Sequence, residues 1–486
     1  MNLNLKLILK MTGVVTALSG LLMIPCIPIA AIYHEDEMLL HFVKTVAVFI
    51  IGGGLMYLLT KSDRRTLRRR DGFLVVTLCW VIISFVGALP YLFMDVSETP
   101  IDAFFESVSG FTTTGVTLID ALDELPKSLI FWRGIQHWFG GMGILIMAVS
   151  VLPALGIGAS NLANAENSGR SAERFTGRIK ESAKNIYIIY IIFTVIETVL
   201  LSLGNMNLFD AFYFTCGSMG NCILQYDIGF TKHYSPYNEI IITIFCILCA
   251  TNFATYQLLI KKRVKEFFKN PEIKTYLIIL ISFSSIVTIA LIANGTFSSV
   301  AENIRYGVIQ TIMFVTTGGY GATDYNLWPE VTKWILILAM FIGGCSQSTA
   351  GGLKIVRVSI LIQVLRRNIF RRIHPRAVVA VKLGGEAVSA DKAQNTLAFF
   401  LVYISTFFFG CIILSIDGQN VGTTATAILA TLSNTGLGFE NVGFTGNWSV
   451  FSGPARLFLS LIMIMGRLEI FTILMLFSPT FWRPDR

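Results

Sequence analysis

Apolar runs long enough to span a bilayer recur along most of this chain. They fall near residues 8–33, 43–60, 72–94, 130–154, 185–204, 237–260, 275–294, 331–365, 394–416 and 454–478. A membrane helix needs about 20 apolar residues, and each run meets that length. Four half-length apolar segments lie between them, near 101–111, 209–217, 302–315 and 420–432, and each is too short to span. The order is two leading helices, then helix, short helix, loop, helix, four times over. That is an internal repeat of about 100 residues, visible in hydropathy more than in identity.

Each short segment runs into a glycine-bearing loop. The first is Thr112-Thr113-Thr114-Gly115-Val116-Thr117, followed by Gly217-Ser218-Met219-Gly220-Asn221-Cys222, Val315-Thr316-Thr317-Gly318-Gly319-Tyr320-Gly321 and Ser433-Asn434-Thr435-Gly436-Leu437-Gly438. A segment this polar at membrane depth is buried in protein or lines a water-filled path, because lipid cannot satisfy its backbone. One such loop alone reads as an ordinary helix–helix turn. Four in register with four half-length helices predict the walls of a single pore. The C-terminal end of a short helix carries partial negative charge and favours a cation. Loop carbonyls facing an axis can replace a cation's hydration shell, and glycine permits the left-handed torsions this alignment needs.

Composition narrows the class. The chain has 486 residues, 54% of them hydrophobic and 14% charged, against roughly 25% charged in a soluble protein. The net charge of +8 is clustered between apolar runs, which is an orientation signal rather than a nucleic-acid surface. The clusters are Lys61–Arg70, Arg170–Lys184, Lys261–Lys269, Arg366–Arg376 and the tail with Arg483 and Arg486. With ten spans all of them fall on one side, the cytoplasmic one, with both termini, and the glycine loops enter from outside. The first run follows Lys6 and Lys10 but is too long for a signal peptide's core and offers no cleavage site, so it is expected to be retained. The eight cysteines lie in apolar or loop stretches, and Cys246-x-x-Cys249 has no second pair beside it. They read as buried thiols.

Two further features sit within spans. Phe341 to Lys354 interrupts a long apolar run with Gly, Ser, Gln and Thr, which is either a structural kink or a break lining a cavity. Arg467 lies in the last span. Its insertion cost of about 2.5–3.5 kcal/mol requires a polar interior. It forms a structural ion pair or points at the pore below the loops, opposing cations. Glu469, two positions on, does not share its face. His137, Glu197 and Asn252 are expected to make interhelical hydrogen bonds. Asp102, Glu106 and Asp210 read as caps or as charges at the mouth.

These loops, together with Trp138–Gly143, Gly343–Lys354, His374-Pro375-Arg376-Ala377 and Gly466–Ile470, resemble the bacterial Trk-type potassium uptake subunits, the TrkH/TrkG/KtrB superfamily. The two leading helices resemble its TrkH/TrkG branch. The resemblance implies an all-α polytopic membrane protein: four pseudo-symmetric helix–pore-loop–helix repeats around one pore, plus two N-terminal helices. The expected division is 1–70 for the leading helices, then repeats over 71–170, 171–270, 271–380 and 381–486. It also implies inward potassium transport across the bacterial inner membrane, a homodimer and a TrkA-type cytoplasmic nucleotide-binding regulatory subunit. Potassium is the transported ion, and no organic cofactor or enzymatic activity is expected.

By the same resemblance the ion-binding filter comprises Thr113, Thr114 and Gly115; Met219, Gly220 and Asn221; Thr317, Gly318 and Gly319; and Asn434, Thr435 and Gly436. The intramembrane gate comprises Gly343, Gly344, Ser346, Gly351, Gly352 and Lys354, with Arg467. Sodium-preferring relatives often carry serine in the first loop, where this chain has Gly115. Repeat two departs from the pattern. Asp102 to Gly115 is 115 − 102 = 13 positions, whereas Asp210 to Gly220 is 220 − 210 = 10. Alignment on the downstream Ile228-Gly229 puts Gly220 at the filter position, and local alignment puts Asn221 there. Either the second short helix has lost nearly a turn or its loop is rebuilt. A weakly selective or sodium-permeable variant, or a non-conducting assembly subunit, is therefore the alternative reading.

Overall fold

The computed structural model describes residues 5–60, 69–93, 96–119, 122–146, 169–223, 234–377 and 379–482. The helices, numbered in chain order, are α1 Leu5–Met23, α2 Cys26–Ile32, α3 Asp36–Leu59, α4 Arg69–Phe93, α5 Pro100–Phe111, α6 Lys127–Ile146, α7 Gly169–Leu203, α8 Leu208–Gly220, α9 Pro236–Cys249, α10 Tyr256–Ile260, α11 Val264–Lys269, α12 Pro271–Ala293, α13 Val300–Thr316, α14 Glu330–Ile342, α15 Ile355–Ile373, α16 Ala390–Leu414, α17 Val421–Leu432, α18 Gly453–Arg467, α19 Phe471–Phe477 and α20 Pro479–Trp482. A two-residue antiparallel pair, Lys382–Leu383 with Glu386–Ala387, follows α15.

Burial separates two populations. The long helices turn rows of bare apolar side chains outward, such as Leu58 and Leu59 on α3, Ile278, Ile281 and Ile289 on α12, and Phe408, Phe409 and Ile412 on α16. Contiguous apolar surface of this kind marks a lipid-facing wall. The half-length helices α5, α8, α13 and α17 are instead buried around nearly their whole circumference over their C-terminal turns. A helix enclosed on all sides lies in the interior, so the four short helices form the centre and the long ones surround them.

Their N-terminal ends are set by capping. Thr99, Asn207, Ser299 and Asn420 each accept a backbone N–H of the first turn, the usual way to satisfy orphan donors there. Asp102 and Asp210, expected as caps, are second partners to those caps. Asp102 accepts from Thr99 Oγ1 at 2.8 Å and from Arg456 at 2.6 Å, and Asp210 accepts from Asn207 Nδ2 at 2.6 Å and Tyr234 Oη at 2.5 Å.

Six described helices are long and apolar enough to cross a membrane unbroken: Ile8–Ile32, Asp36–Leu59, Arg70–Phe93, Ala183–Leu203, Pro271–Ala293 and Ala390–Asp417. Three further expected spans are broken. The run at 237–260 bends by 87° between Cys249 and Phe253, and the run at 454–478 bends by 120° between Arg467 and Phe471. Neither break was visible in hydropathy. The run at 331–365 stops at Ile342 and restarts at Ile355, at the polar interruption. The run at 130–154 is helical over Lys127–Ile146, and its last residues lie outside the described ones. Of the expected basic clusters, residues 61–68 and Arg483 and Arg486 also lie outside.

Glu106 is not a cap or a mouth charge. It is fully buried on α5, ion-paired to Arg133 of α6, and it accepts the Leu118 N–H at 2.5 Å and Thr117 Oγ1 at 2.9 Å. Removing one partner of a buried pair strands the other. Arg133→Met is expected to cost about 3–5 kcal/mol, read as a lower thermal midpoint in detergent. Lys333→Met, which removes the Lys333–Glu330 pair at the surface, is expected to cost under about 1 kcal/mol.

Candidate functional site

All four short helices end in the same turn. One or two residues past the helix end, the chain enters the left-handed region: Thr113 at φ 52°, Asn221 at 51°, Thr317 at 56° and Asn434 at 51°. The next residue sends its N–H back five positions into the helix: Thr114 to Ser109 at 2.9 Å, Cys222 to Gly217 at 2.8 Å, Gly318 to Met313 at 2.7 Å and Thr435 to Ala430 at 2.9 Å. This satisfies the carbonyls a helix end leaves open. Holding a β-branched threonine at positive φ is strained, and it recurs at two of the four turns.

One residue further on, Gly115, Gly319 and Gly436 take φ 79°, 76° and 75°. The turns they belong to meet their neighbours, the second turn included, at close range. A Cβ on Gly436 would lie 2.0 Å from the Thr114 carbonyl oxygen, and one on Gly319 would lie 3.1 Å from Ile223 N. No side chain fits at Gly436 without parting these backbones.

The second turn corrects the expected register. Asp102 to Thr113 and Asp210 to Asn221 are both eleven positions (113 − 102 = 11; 221 − 210 = 11), and α8 has 13 residues against 12 in α5. The second short helix has lost no turn. Met219 and Gly220 are its last helical residues, and Asn221 matches Thr113, Thr317 and Asn434. Counting on two, the residue matching Gly115, Gly319 and Gly436 is Ile223, not Gly220 or Asn221. Ile223 is absent from the positive-φ residues. A search for glycine missed this because the turn is anchored by its left-handed residue. Ile228-Gly229, used for the sequence alignment, lies outside the described residues.

Behind the turns, buried polar groups of the short helices hold the outgoing chain. Glu106 accepts Leu118 N–H at 2.5 Å, Gln310 Oε1 accepts Ala322 N–H at 2.9 Å and Thr426 Oγ1 accepts Phe439 N–H at 3.0 Å. These are matching loop positions in repeats one, three and four. In repeat two the residue matching Glu106 and Gln310 is Phe214, which cannot accept.

The loop 343–354 packs directly beneath the turns. Gly351 N–H donates to Thr317 Oγ1 at 2.9 Å, Gly352 N–H donates to the Ser433 carbonyl at 3.0 Å, and the Asn221 side chain meets Thr349 Oγ1 at 2.8 Å. A Cβ on Gly351 would sit 1.8 Å from the Ser433 oxygen, so this contact requires glycine. On the other side the loop uses the break after α9. Cys345 N–H donates to Ala250 O at 2.9 Å, Thr349 N–H to Cys249 O at 3.2 Å, and Phe253 N–H to Gln347 O at 3.1 Å. Asn252, expected to be an interhelical bond within a span, is instead at this break. It caps the next turn and meets Ser346 Oγ and Glu272 at 3.2 Å each. Glu272 also accepts Ser346 N–H at 2.5 Å and Ser346 Oγ at 2.9 Å. Gly343 and Gly344 form the loop's entry, with Gly343 at φ 68°, and Lys354 Nζ donates to the Ala350 carbonyl.

Arg467 is buried where α18 ends. Its guanidinium donates to the Thr349 carbonyl of the loop at 2.8 Å and to the Gly140 carbonyl of α6 at 3.0 Å, while Nε has no partner. Among the described residues it has no carboxylate partner. The carboxylate nearby in sequence, Glu469, pairs with Arg357 of α15 at 2.5 Å. The α18 break is strained, with Glu469 at φ 58° and the β-branched Ile470 at 49°. Glu197 accepts from Ser218 on α8, as expected for an interhelical bond, and the His137 ring lies against the Cys222 backbone with Nε2 unpartnered. Among the described residues no group of His, Cys, Asp and Glu could hold a metal ion.

This arrangement places four helix C-termini, four left-handed turns and one buried cation together at the centre of a membrane protein. The sequence profile described as TrkH, cation transport protein, matches residues 39–483. The chain belongs to the TrkH family. It is 33% identical to the Trk system potassium uptake protein TrkH of Escherichia coli K12 over 488 residues, covering 99% of this chain and 100% of that protein. It is 31% identical to TrkG of the same organism, covering 99% of each. The crystal structure of the potassium transporter TrkH from Vibrio parahaemolyticus superposes with a TM-score of 0.90 at 31% identity, over 99% of this chain and 100% of that one. This TrkH-family chain is thus an all-α, multi-pass membrane protein of a transport family, not an enzyme.

Loss of the Glu272 anchor should loosen the loop. Glu272→Ala removes the charged acceptor of three hydrogen bonds, from Asn252 Nδ2, Ser346 N–H and Ser346 Oγ, the last already given up in a Ser346→Cys background, each worth about 1.5–3 kcal/mol. In a Ser346→Cys background it is expected to raise the modification rate by a thiol reagent about tenfold or more.

Proposed function

We propose that this chain conducts potassium into the cell through the path bounded by Thr113–Gly115, Asn221–Ile223, Thr317–Gly319 and Asn434–Gly436. The observation that carries this reading is the recurrence of one left-handed turn at the ends of four buried short helices whose backbones meet. Four negative helix ends favour a cation at that point, and turn carbonyls supply oxygen ligands in place of water. The inward driving force is the membrane potential, about 2.3 kcal/mol per charge per 100 mV. The four repeats over 71–170, 171–270, 271–380 and 381–486, after leading helices in 1–70, each contribute one wall.

The loop Gly343–Lys354 and Arg467 form the gate in this reading. The loop lies across the cytoplasmic side of the turns and is hydrogen-bonded to three of them. Arg467 holds the loop through Thr349 and places a positive charge on the cation's route. The arginine-rich C-terminal half of α15 receives a TrkA-type nucleotide-binding regulatory subunit, and the Arg357–Glu469 pair joins that helix to the α18 break. The protein works as a homodimer in the bacterial inner membrane with both termini cytoplasmic. A weakly selective variant is the second reading, favoured by Ile223 in the second turn.

The test is rubidium and sodium uptake into cells lacking their own potassium importers, with a TrkA-type partner present. Wild-type uptake of rubidium supports transport, and uptake of neither ion overturns it in favour of a non-conducting assembly subunit. Arg467→Ala is expected to raise partner-independent rubidium flux about tenfold, equivalent to about 1.4 kcal/mol of barrier. Gly115→Ser is expected to raise sodium uptake relative to rubidium, since its Cβ would press on Cys222 Sγ at 2.9 Å and φ is 79°.

A further inference from the structure

The second turn differs from the other three in backbone, not only in residue type. Gly115, Gly319 and Gly436 lie at φ 75–79° and are partly open, whereas Ile223 is 1% exposed and lacks a left-handed φ. A β-branched residue enters that region only under strain, as Thr113 and Thr317 do, and Ile223 does not enter it. The Ile223 peptide is therefore turned differently, and its N–H crosses to the neighbouring repeat, donating to the Gly318 carbonyl at 2.7 Å. The matching N–H of Gly436 instead faces back into its own helix, to Ala430 at 3.4 Å.

The position of Gly318 makes this contact matter. Its carbonyl matches those of Thr114, Cys222 and Thr435, each immediately before the residue in the glycine position. A backbone N–H puts the positive end of a dipole against one oxygen of that set, where a cation would be coordinated. The His137 ring lies beside the Cys222 backbone. One of the four matching carbonyls is thus tied to a backbone donor of a neighbouring turn.

We propose that Ile223 sets ion discrimination in this chain by withdrawing the Gly318 carbonyl from the coordination ring and leaving an asymmetric site with fewer free oxygens. This inference rests on the transport reading above. Potassium discrimination over sodium depends on the number and field of coordinating carbonyls, or on the size of the cage they form. Both are reduced when one oxygen of four is bonded to an amide and one wall carries isoleucine. Phe214 stands where repeats one and three have Glu106 and Gln310, so the second short helix carries no side-chain acceptor at that position.

The experiment is competition of sodium and potassium against rubidium uptake, for wild-type and for Ile223→Gly and Ile223→Val, in cells carrying the partner, with membrane abundance measured in parallel. Wild-type sodium is expected to compete within about tenfold of potassium, and Ile223→Gly to widen that ratio about tenfold or more by freeing the Gly318 oxygen. Ile223→Val, which keeps the β-branched backbone constraint, should retain the wild-type ratio. A wild-type chain that excludes sodium by more than about a hundredfold overturns the inference without any variant. An abundant Ile223→Gly protein with an unchanged ratio overturns it while leaving transport intact. No rubidium uptake by wild-type overturns the transport reading, and this inference with it.

Discussion

Backbone polar groups at membrane depth have neither water nor lipid to bond, and the centre of this protein is built around that constraint. Ending four helices inside the membrane and breaking three more exposes many amide and carbonyl groups, each expensive if left alone. The structure pairs them with one another. The carbonyls freed after α9, of Cys249 and Ala250, accept the N–H groups of the loop between α14 and α15. Two more of that loop's amides, those of Gly351 and Gly352, reach the turns above it at Thr317 and Ser433. Arg467, at the third break, takes up the Thr349 and Gly140 carbonyls.

The loop below the turns and the turns themselves are therefore one hydrogen-bonded body. Moving the loop aside exposes the Cys249 and Ala250 carbonyls and the Thr317 and Ser433 oxygens together, so an open state has to supply water or a cation in their place. In the proposed function, a cation arriving between four negative helix ends meets that demand, while Arg467 competes for the same carbonyl field. Opening and occupancy by a cation favour each other on this account, and the guanidinium opposes both. In the proposed gate, the strained turn at Glu469 and Ile470, tied to α15 by Arg357, is the point through which a force on that helix would reach Arg467.

Much of this was legible from side-chain pattern alone. Hydropathy placed the four short helices within a few residues, and the run of Gly, Ser, Gln and Thr marked the loop at 343–354. The cost of burying Arg467 pointed to a role at the centre. The breaks at 250–252 and 468–470 were invisible because apolar residues flank them on both sides, and hydropathy reads composition rather than torsion. Asn252 was the one local signal of the first break, and Glu272, whose carboxylate anchors the loop, looked like an ordinary helix start. The second turn was misaligned for a related reason. The eye follows glycine, but the fold counts from the left-handed residue, and that count puts Ile223 where three glycines stand.

The central claim is that the four turns bind the transported ion. Rubidium anomalous scattering from crystals of this protein tests it directly, by locating ions relative to the backbone. The account predicts a rubidium peak between the turns, within ligand distance of the Thr114 and Thr435 carbonyls and displaced away from Gly318 and Ile223. Turns that stay empty of rubidium at saturating concentration, with ions bound elsewhere along the chain, contradict it.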